Sequence, residues 1–216
     1  MRRSIFFACV CVLAAAGSSF AQNGDWMLTG RAMHVPGGDP SAVVGSTGST
    51  LDLSSGGGLA VDATLLFSER FGASLSLAGS RHHLRLVGDP PCCGGTLDGD
   101  SLWLPALTVT AQYHHPVYGP WDPYVGLGVV WAEPIYSLSD ELEAAGVERL
   151  DFEGNPGVAA QIGVNYHRDS HWYANLDLRY LAISLDARAK LGDEDAGPVS
   201  IDMGPWVIGL GFGYRF

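Results

Sequence analysis

Apolar and polar positions alternate with period two along much of this chain. From Trp206 to Phe216 the even positions read Trp, Ile, Leu, Phe, Tyr, Phe, and the odd ones Val, Gly, Gly, Gly, Arg. Successive side chains of a strand point to opposite faces, so this segment is a strand with one aromatic, apolar face and one small face carrying a single charge. The pattern recurs. Leu59, Val61, Ala63 and Leu65 interleave with Asp62 and Thr64, and Leu107, Val109, Ala111 and Tyr113 with Thr108, Thr110 and Gln112. Val158, Ala160, Ile162, Val164 and Tyr166 interleave with Gln161, Gly163 and Asn165, and Leu176, Leu178 and Tyr180 with Asn175, Asp177 and Arg179. Strands are predicted over Asp25–Val35, Gly57–Leu66, Phe71–Leu84, Leu102–His114, Asp122–Ala132, Gly157–His167, Trp172–Leu185 and Ile201–Phe216. Each reaches the roughly 9–11 residues that a tilted strand needs to cross a bilayer.

The connections alternate in length. Short ones (68–70, 115–121 and 168–170) take turns with long ones (36–56, 85–101, 133–156 and 186–200). Greasy outer faces, small or polar inner faces and an even strand number predict an all-β, eight-stranded antiparallel up-and-down transmembrane barrel. Both termini then lie at the short-turn end, which in outer-membrane barrels is periplasmic. Trp26, Trp121 and Trp172 start strands at that end, while Trp103, Trp131 and Trp206 lie toward the long loops. Two girdles of interfacial tryptophan fit a bilayer better than a soluble core.

Composition narrows the class further. The chain is 47% hydrophobic with 29 glycines, yet after the amino end it has no apolar run of about 18 residues for a spanning helix. A formal charge of −11 argues against nucleic acid, whose binding needs Lys and Arg on phosphates. Most acidic residues fall in the long connections, where they solubilise an outer surface or bridge divalent cations to lipopolysaccharide. Arg2 and Arg3, the apolar stretch Ile5 to Ala16, and Ser19-Phe20-Ala21 read as a secretory signal peptide over residues 1–21, leaving a barrel domain over 22–216. Cys92 and Cys93 are adjacent; neighbouring Cα atoms about 3.8 Å apart sit below the usual disulfide range, and no histidine completes a zinc pattern. Neither metal nor cofactor is expected. Ser139 to Gly146 reads as a short capped helix in the third long connection.

Eight strands enclose room for side chains or one small ligand. Gly126, Gly128, Gly163, Gly209, Gly211 and Gly213 fall on the inner face and leave volume there, and Met27, Met33 and Leu181 add apolar lining. Arg31, Asp62, Asp177, Arg179 and Arg215 are the inward charges, expected to pair into a polar plug because ionisable groups at membrane depth are costly alone. The pairs His82-His83 and His114-His115 point to opposite faces, and no motif joins Ser74 or Ser76 to a histidine. No enzymatic activity is expected.

Three stretches carry a family resemblance. Pro205 to Phe216, Leu104 to His114 followed by Asp122 to Val129, and Gly24-Asp25-Trp26 with Ala32-Met33-His34-Val35 resemble the OmpW family across the whole of 22–216. Departures are the Cys92-Cys93 loop, Ala106 and Trp131. The resemblance implies an outer-membrane barrel whose narrow apolar tunnel admits small hydrophobic molecules passively and opens sideways into the bilayer. Pro36, Pro40, Pro134 and Pro156 end strands at the long-loop side and are candidates for that opening, because proline cannot donate to a ladder. Tyr214 and Phe216 resemble the terminal signal read by the outer-membrane assembly machinery. Implied partners are membrane lipid, lipopolysaccharide, that machinery and small hydrophobic solutes. The alternative is a non-transporting surface barrel acting as adhesin, receptor or structural protein.

Overall fold

A computed structural model describes residues 25–36, 42–44, 49–88, 95–115, 117–135, 147–154, 156–191, 194–203 and 206–216. The signal segment, Pro40, Cys92-Cys93 and the short helix expected at Ser139 to Gly146 lie outside these residues. The described chain forms β1 (Asp25–Val35), β2 (Ala42–Val44), β3 (Ser49–Leu53), β4 (Gly56–Leu66), β5 (Phe71–Gly88), β6 (Gly95–His114), β7 (Trp121–Ala132), β8 (Val147–Gly154), β9 (Gly157–His167), β10 (Trp172–Leu191), β11 (Glu194–Met203) and β12 (Trp206–Arg215).

Eight of these are the staves of a closed antiparallel barrel: β1, β4, β5, β6, β7, β9, β10 and β12. Hairpins join neighbours around the wall, and β12 closes it by pairing with β1, from Met27 opposite Arg215 to His34 opposite Ile208. Closure pairs each stave with a neighbour on both sides, which is what a bilayer demands of strands. Outward positions are apolar and exposed, as the alternation predicts: Leu210 is 67% and Phe212 58% exposed, beside Gly209 and Gly213, which face inward. Trp103, Trp121, Trp131, Trp172 and Trp206 all point outward.

The long connections hold more strand than the alternation indicates. β5 and β6 continue as a paired hairpin to Gly88 and from Gly95. β10 runs on to Leu191 with β8 along one edge and β11 along the other, and β2 and β3 extend the sheet beside upper β5. In these extensions the apolar alternation lapses in sequence, as at Arg85, Asp98, Arg188 and Lys190. The backbone N–H and C=O groups still need partners, and pairing continues without the pattern.

Candidate functional site

The interior divides into two storeys. Toward the short turns, inward positions are polar: Thr29, Thr64, Ser74, Gln112, His114, Asn165 and Asn175 are all buried. Toward the long connections they are apolar: Leu104, Ala106, Val130, Ala132, Ala159 and Ile183 form one cluster, with Ala78 and Leu181 packed against it. The boundary is visible in the sequence, because several staves change their inward residue type at about the same height. Strand β6 reads Leu102, Leu104, Ala106 and then Thr108, Thr110, Gln112, while β10 reads Asn175, Asp177, Arg179 and then Leu181, Ile183.

At the boundary, four of the five inward charges meet. Arg31 Nη1 faces Asp62 Oδ2 at 2.9 Å and Asp177 Oδ1 at 3.4 Å. Arg179 donates from Nη2 to Asp62 Oδ1 at 2.8 Å, from Nε to Asp177 Oδ1 at 2.6 Å, and from Nη1 to Ser76 Oγ at 2.8 Å. Arg31 Nη1 and Asp62 Oδ2 are held to each other by charge alone, without the angle of a hydrogen bond. Two guanidinium and two carboxylate groups cancel, which is the condition under which such groups persist at membrane depth.

The quartet hangs on a polar chain that descends to the short-turn end. Asp177 accepts from Tyr124 OH at 2.7 Å, and Asn175 donates from Nδ2 to Tyr124 OH and to Asn165 Oδ1. Asn165 in turn donates to Asp122, which also accepts from His114 Nδ1 at 3.0 Å. Arg31 donates to Asn175 Oδ1, and Gln161 donates to Thr110. A cavity of about 10 Å³ remains between Arg31, Asp62, Thr64, Ser74, Gln112 and Asn165, room for about one water. Arg215 stands apart from the quartet, at the rim, paired with Asp25.

The volume beside the inward glycines is taken by these side chains. A Cβ at Gly209 would run into Arg31 Cδ, one at Gly213 into the Tyr173 ring, and one at Gly163 into the Tyr124 ring. At Gly126 it would lie 2.7 Å from Gln161 Nε2, at Gly211 2.9 Å from Thr29, and at Gly128 it would strike the β6 backbone. Gly126, Gly163, Gly209 and Gly213 are notches that seat large polar side chains, rather than free space. Met27 packs with Leu66 and Tyr173 at the short-turn end, while Met33 is half-buried in the outer storey.

Among the described residues, the pairing of the outer wall is interrupted around upper β7. The β7–β9 ladder ends at the pair Val130 and Gly157, and Pro156 directly precedes β9. On its other side, upper β7 is tied to β6 by bonds from Glu133 N to Pro105 O, Trp103 N to Ile135 O and Ile135 N to Trp103 O. Pro105 has no N–H to return to Glu133. Thus Pro134 and Pro156 flank one place in the wall, whereas exposed Pro36 follows β1. Pro105 was legible as a proline inside a strand pattern, and Tyr124, Tyr173 and Asn175 as inward positions by parity.

Ser74 and Ser76 bond to Thr64 and Arg179. Among the described residues no group of three His, Cys, Asp or Glu side chains is arranged to hold a metal. Tyr214 packs edge-on against Phe216 and Trp172 at the short-turn rim.

Comparison with known proteins agrees with this geometry. The model of the OmpW family matches residues 22–216. An uncharacterized outer-membrane protein, y4mB, of Sinorhizobium fredii is 31% identical over 194 residues, covering 88% of this chain and 80% of its own. Outer membrane protein W of Vibrio cholerae is 27% identical over 212 residues, covering 96% and 97%. The crystal structure of outer membrane protein OprG from Pseudomonas aeruginosa superposes with a TM-score of 0.76 at 23% identity, covering 89% of this chain and 96% of that one.

Proposed function

The chain belongs to the OmpW family of outer-membrane β-barrels, and on that premise we propose that it is a passive conduit for small hydrophobic molecules. The observation that carries this reading is the division of the interior into an apolar outer storey and a charge-paired polar floor. In the proposed orientation both termini are periplasmic and the long connections face outward. An apolar solute leaving water for the storey lined by Leu104, Val130 and Ile183 gains about 25 cal/mol per Å² of buried apolar surface. It gains nothing from the floor, where passage would require desolvated charges to part. The solute therefore leaves sideways, and upper β7 is the leaf that yields, between the end of the β7–β9 ladder and the bond missing at Pro105.

The experiment is solute uptake by cells carrying Ala106→Phe or Ala159→Phe, which fill the outer storey, against Ala174→Phe, which adds the same bulk to the exposed face. Uptake of a small aromatic hydrocarbon slows severalfold for the first two and is unchanged for the third. Equal uptake by all of them overturns the conduit.

One observation favours a second reading, a surface barrel that does not transport: large side chains fill the notches beside the glycines. On that reading, storey-filling variants leave every phenotype intact, while exchange of the long connections abolishes binding to a host or phage partner.

A further inference from the structure

The outer storey is apolar on seven of its eight staves. Among its described inward side chains only Ser80 and His82, both on β5, are polar, and they are 5% and 1% exposed. Ser80 Oγ lies 2.9 Å from His82 Nε2, and His82 Nδ1 lies 3.2 Å from the carbonyl of Ser54. Around them stand Leu102 and Leu104, which pair with His82 and Ser80 across the β5–β6 ladder.

The arrangement fixes its own hydrogens. A backbone carbonyl only accepts, so the proton of the neutral ring sits on Nδ1 and Nε2 must accept. Ser80 then donates its hydroxyl hydrogen to Nε2, and its oxygen keeps two lone pairs with no donor bonded to them among the described residues. The ring is held at both nitrogens. A Cβ at Gly56 would lie 2.5 Å from Nδ1, so the glycine is the seat of the imidazole, and Ser54 is itself tied to His83 through N to O and through Oγ to N, both at 3.0 Å. The result is a held acceptor with no held donor. Buried acceptors of that kind discriminate between a ligand that can donate and an isostere that cannot.

We propose that Ser80, oriented by His82, is a recognition site for the hydroxyl of small hydroxylated apolar molecules, phenols and aliphatic alcohols, which the conduit takes up in preference to the parent hydrocarbons. The inference rests on the uptake reading and adds a substrate class to it. The ligand O–H donates to Ser80 Oγ while its hydrocarbon body lies against Leu104 and the neighbouring apolar side chains.

The test compares influx of 2-naphthol and naphthalene, matched in shape, into cells that carry the full-length protein, each corrected for a strain lacking it. Folding of every variant is checked by its heat-modifiable gel mobility. The intact protein favours the naphthol by about 3- to 10-fold, the worth of one neutral hydrogen bond. Ser80→Ala abolishes that preference, bringing the ratio of naphthol to naphthalene influx to that of the protein-free strain, while Ser80→Thr, which keeps the hydroxyl, retains it. A preference that persists in Ser80→Ala overturns the site and leaves the conduit standing. Influx of neither compound above the protein-free strain overturns the conduit itself, and the site with it.

Discussion

Arg179 reaches Asp62 across 117 positions of sequence, Nη2 to Oδ1 at 2.8 Å, inside a wall whose other face meets lipid. Both side chains are almost wholly buried, and each carboxylate of the quartet serves two guanidinium groups. Strands β4 and β10 do not touch in the ladder, so this contact braces the barrel across its bore.

Removing one member leaves the others uncompensated. Asp62→Asn puts two guanidinium groups against the single charge of Asp177, and breaking a buried pair in this way costs about 3–5 kcal/mol. Urea unfolding in lipid vesicles should register a loss of that size. Exchanging Asp62 and Arg179 for uncharged residues together should cost less than the sum of the single changes, since neither charge is then stranded. Additive losses would mean that the two side chains are not coupled.

Tyr173 lying over Gly213 gives a second test. A Cβ at position 213 would run into the tyrosine ring, whose hydroxyl is held 2.7 Å from Thr29 Oγ1. Overpacking of this kind costs about 1–3 kcal/mol, so Gly213→Ala should destabilise by that amount in the intact protein. In a Tyr173→Ala background the same change should be close to neutral. An equal cost in both backgrounds would show that the ring gives way freely and the notch is not its seat.

Strand number, order and facing were legible because the bilayer imposes period two on everything that crosses it. Leu210, Gly209 and Asp177 each point where parity puts them. The pairing of Arg31, Asp62, Asp177 and Arg179 was legible as a need for partners, since a thin bore cannot hold them unpaired. Who pairs with whom was not, because it depends on stagger between staves, and Arg215, on the same parity, falls at the rim beside Asp25 instead. The glycines misled for a related reason. An absent side chain is visible in sequence, but the neighbour that fills its place comes from another stave. Above the membrane the pattern lapses while hydrogen bonding continues, which is why β8 and β11 could not be read.

Pro105 bears on both stability and transport. Its carbonyl accepts from Glu133 N at 3.1 Å, but its ring nitrogen returns nothing. Pro105→Val supplies the missing donor at a position already extended, and one net backbone hydrogen bond is worth about 0.5–1.5 kcal/mol. The variant should unfold at higher urea and, if upper β7 is the leaf that yields, should admit apolar solute more slowly. A more stable barrel with unchanged uptake would move the exit elsewhere in the wall.

The turn between β9 and β10 carries a titration that can be followed outside the membrane. Asp169 Oδ1 accepts from the backbone N–H of Trp172 and of His171, each at 2.8 Å. These bonds, that to Trp172 first, favour the carboxylate and hold its pKa below the ordinary value. A carboxyl depressed on folding supports the turn at pH above the unfolded value of about 3.9, and that support is lost as pH falls through the folded one. The amide proton resonances of His171 and Trp172 should therefore move together as the carboxyl protonates, below pH of about 4. Asp169→Asn keeps an acceptor oxygen but cannot titrate, so its two resonances should not move over the same range. Movement over that range that persists in the Asn variant would assign the titration to another group at this end of the barrel.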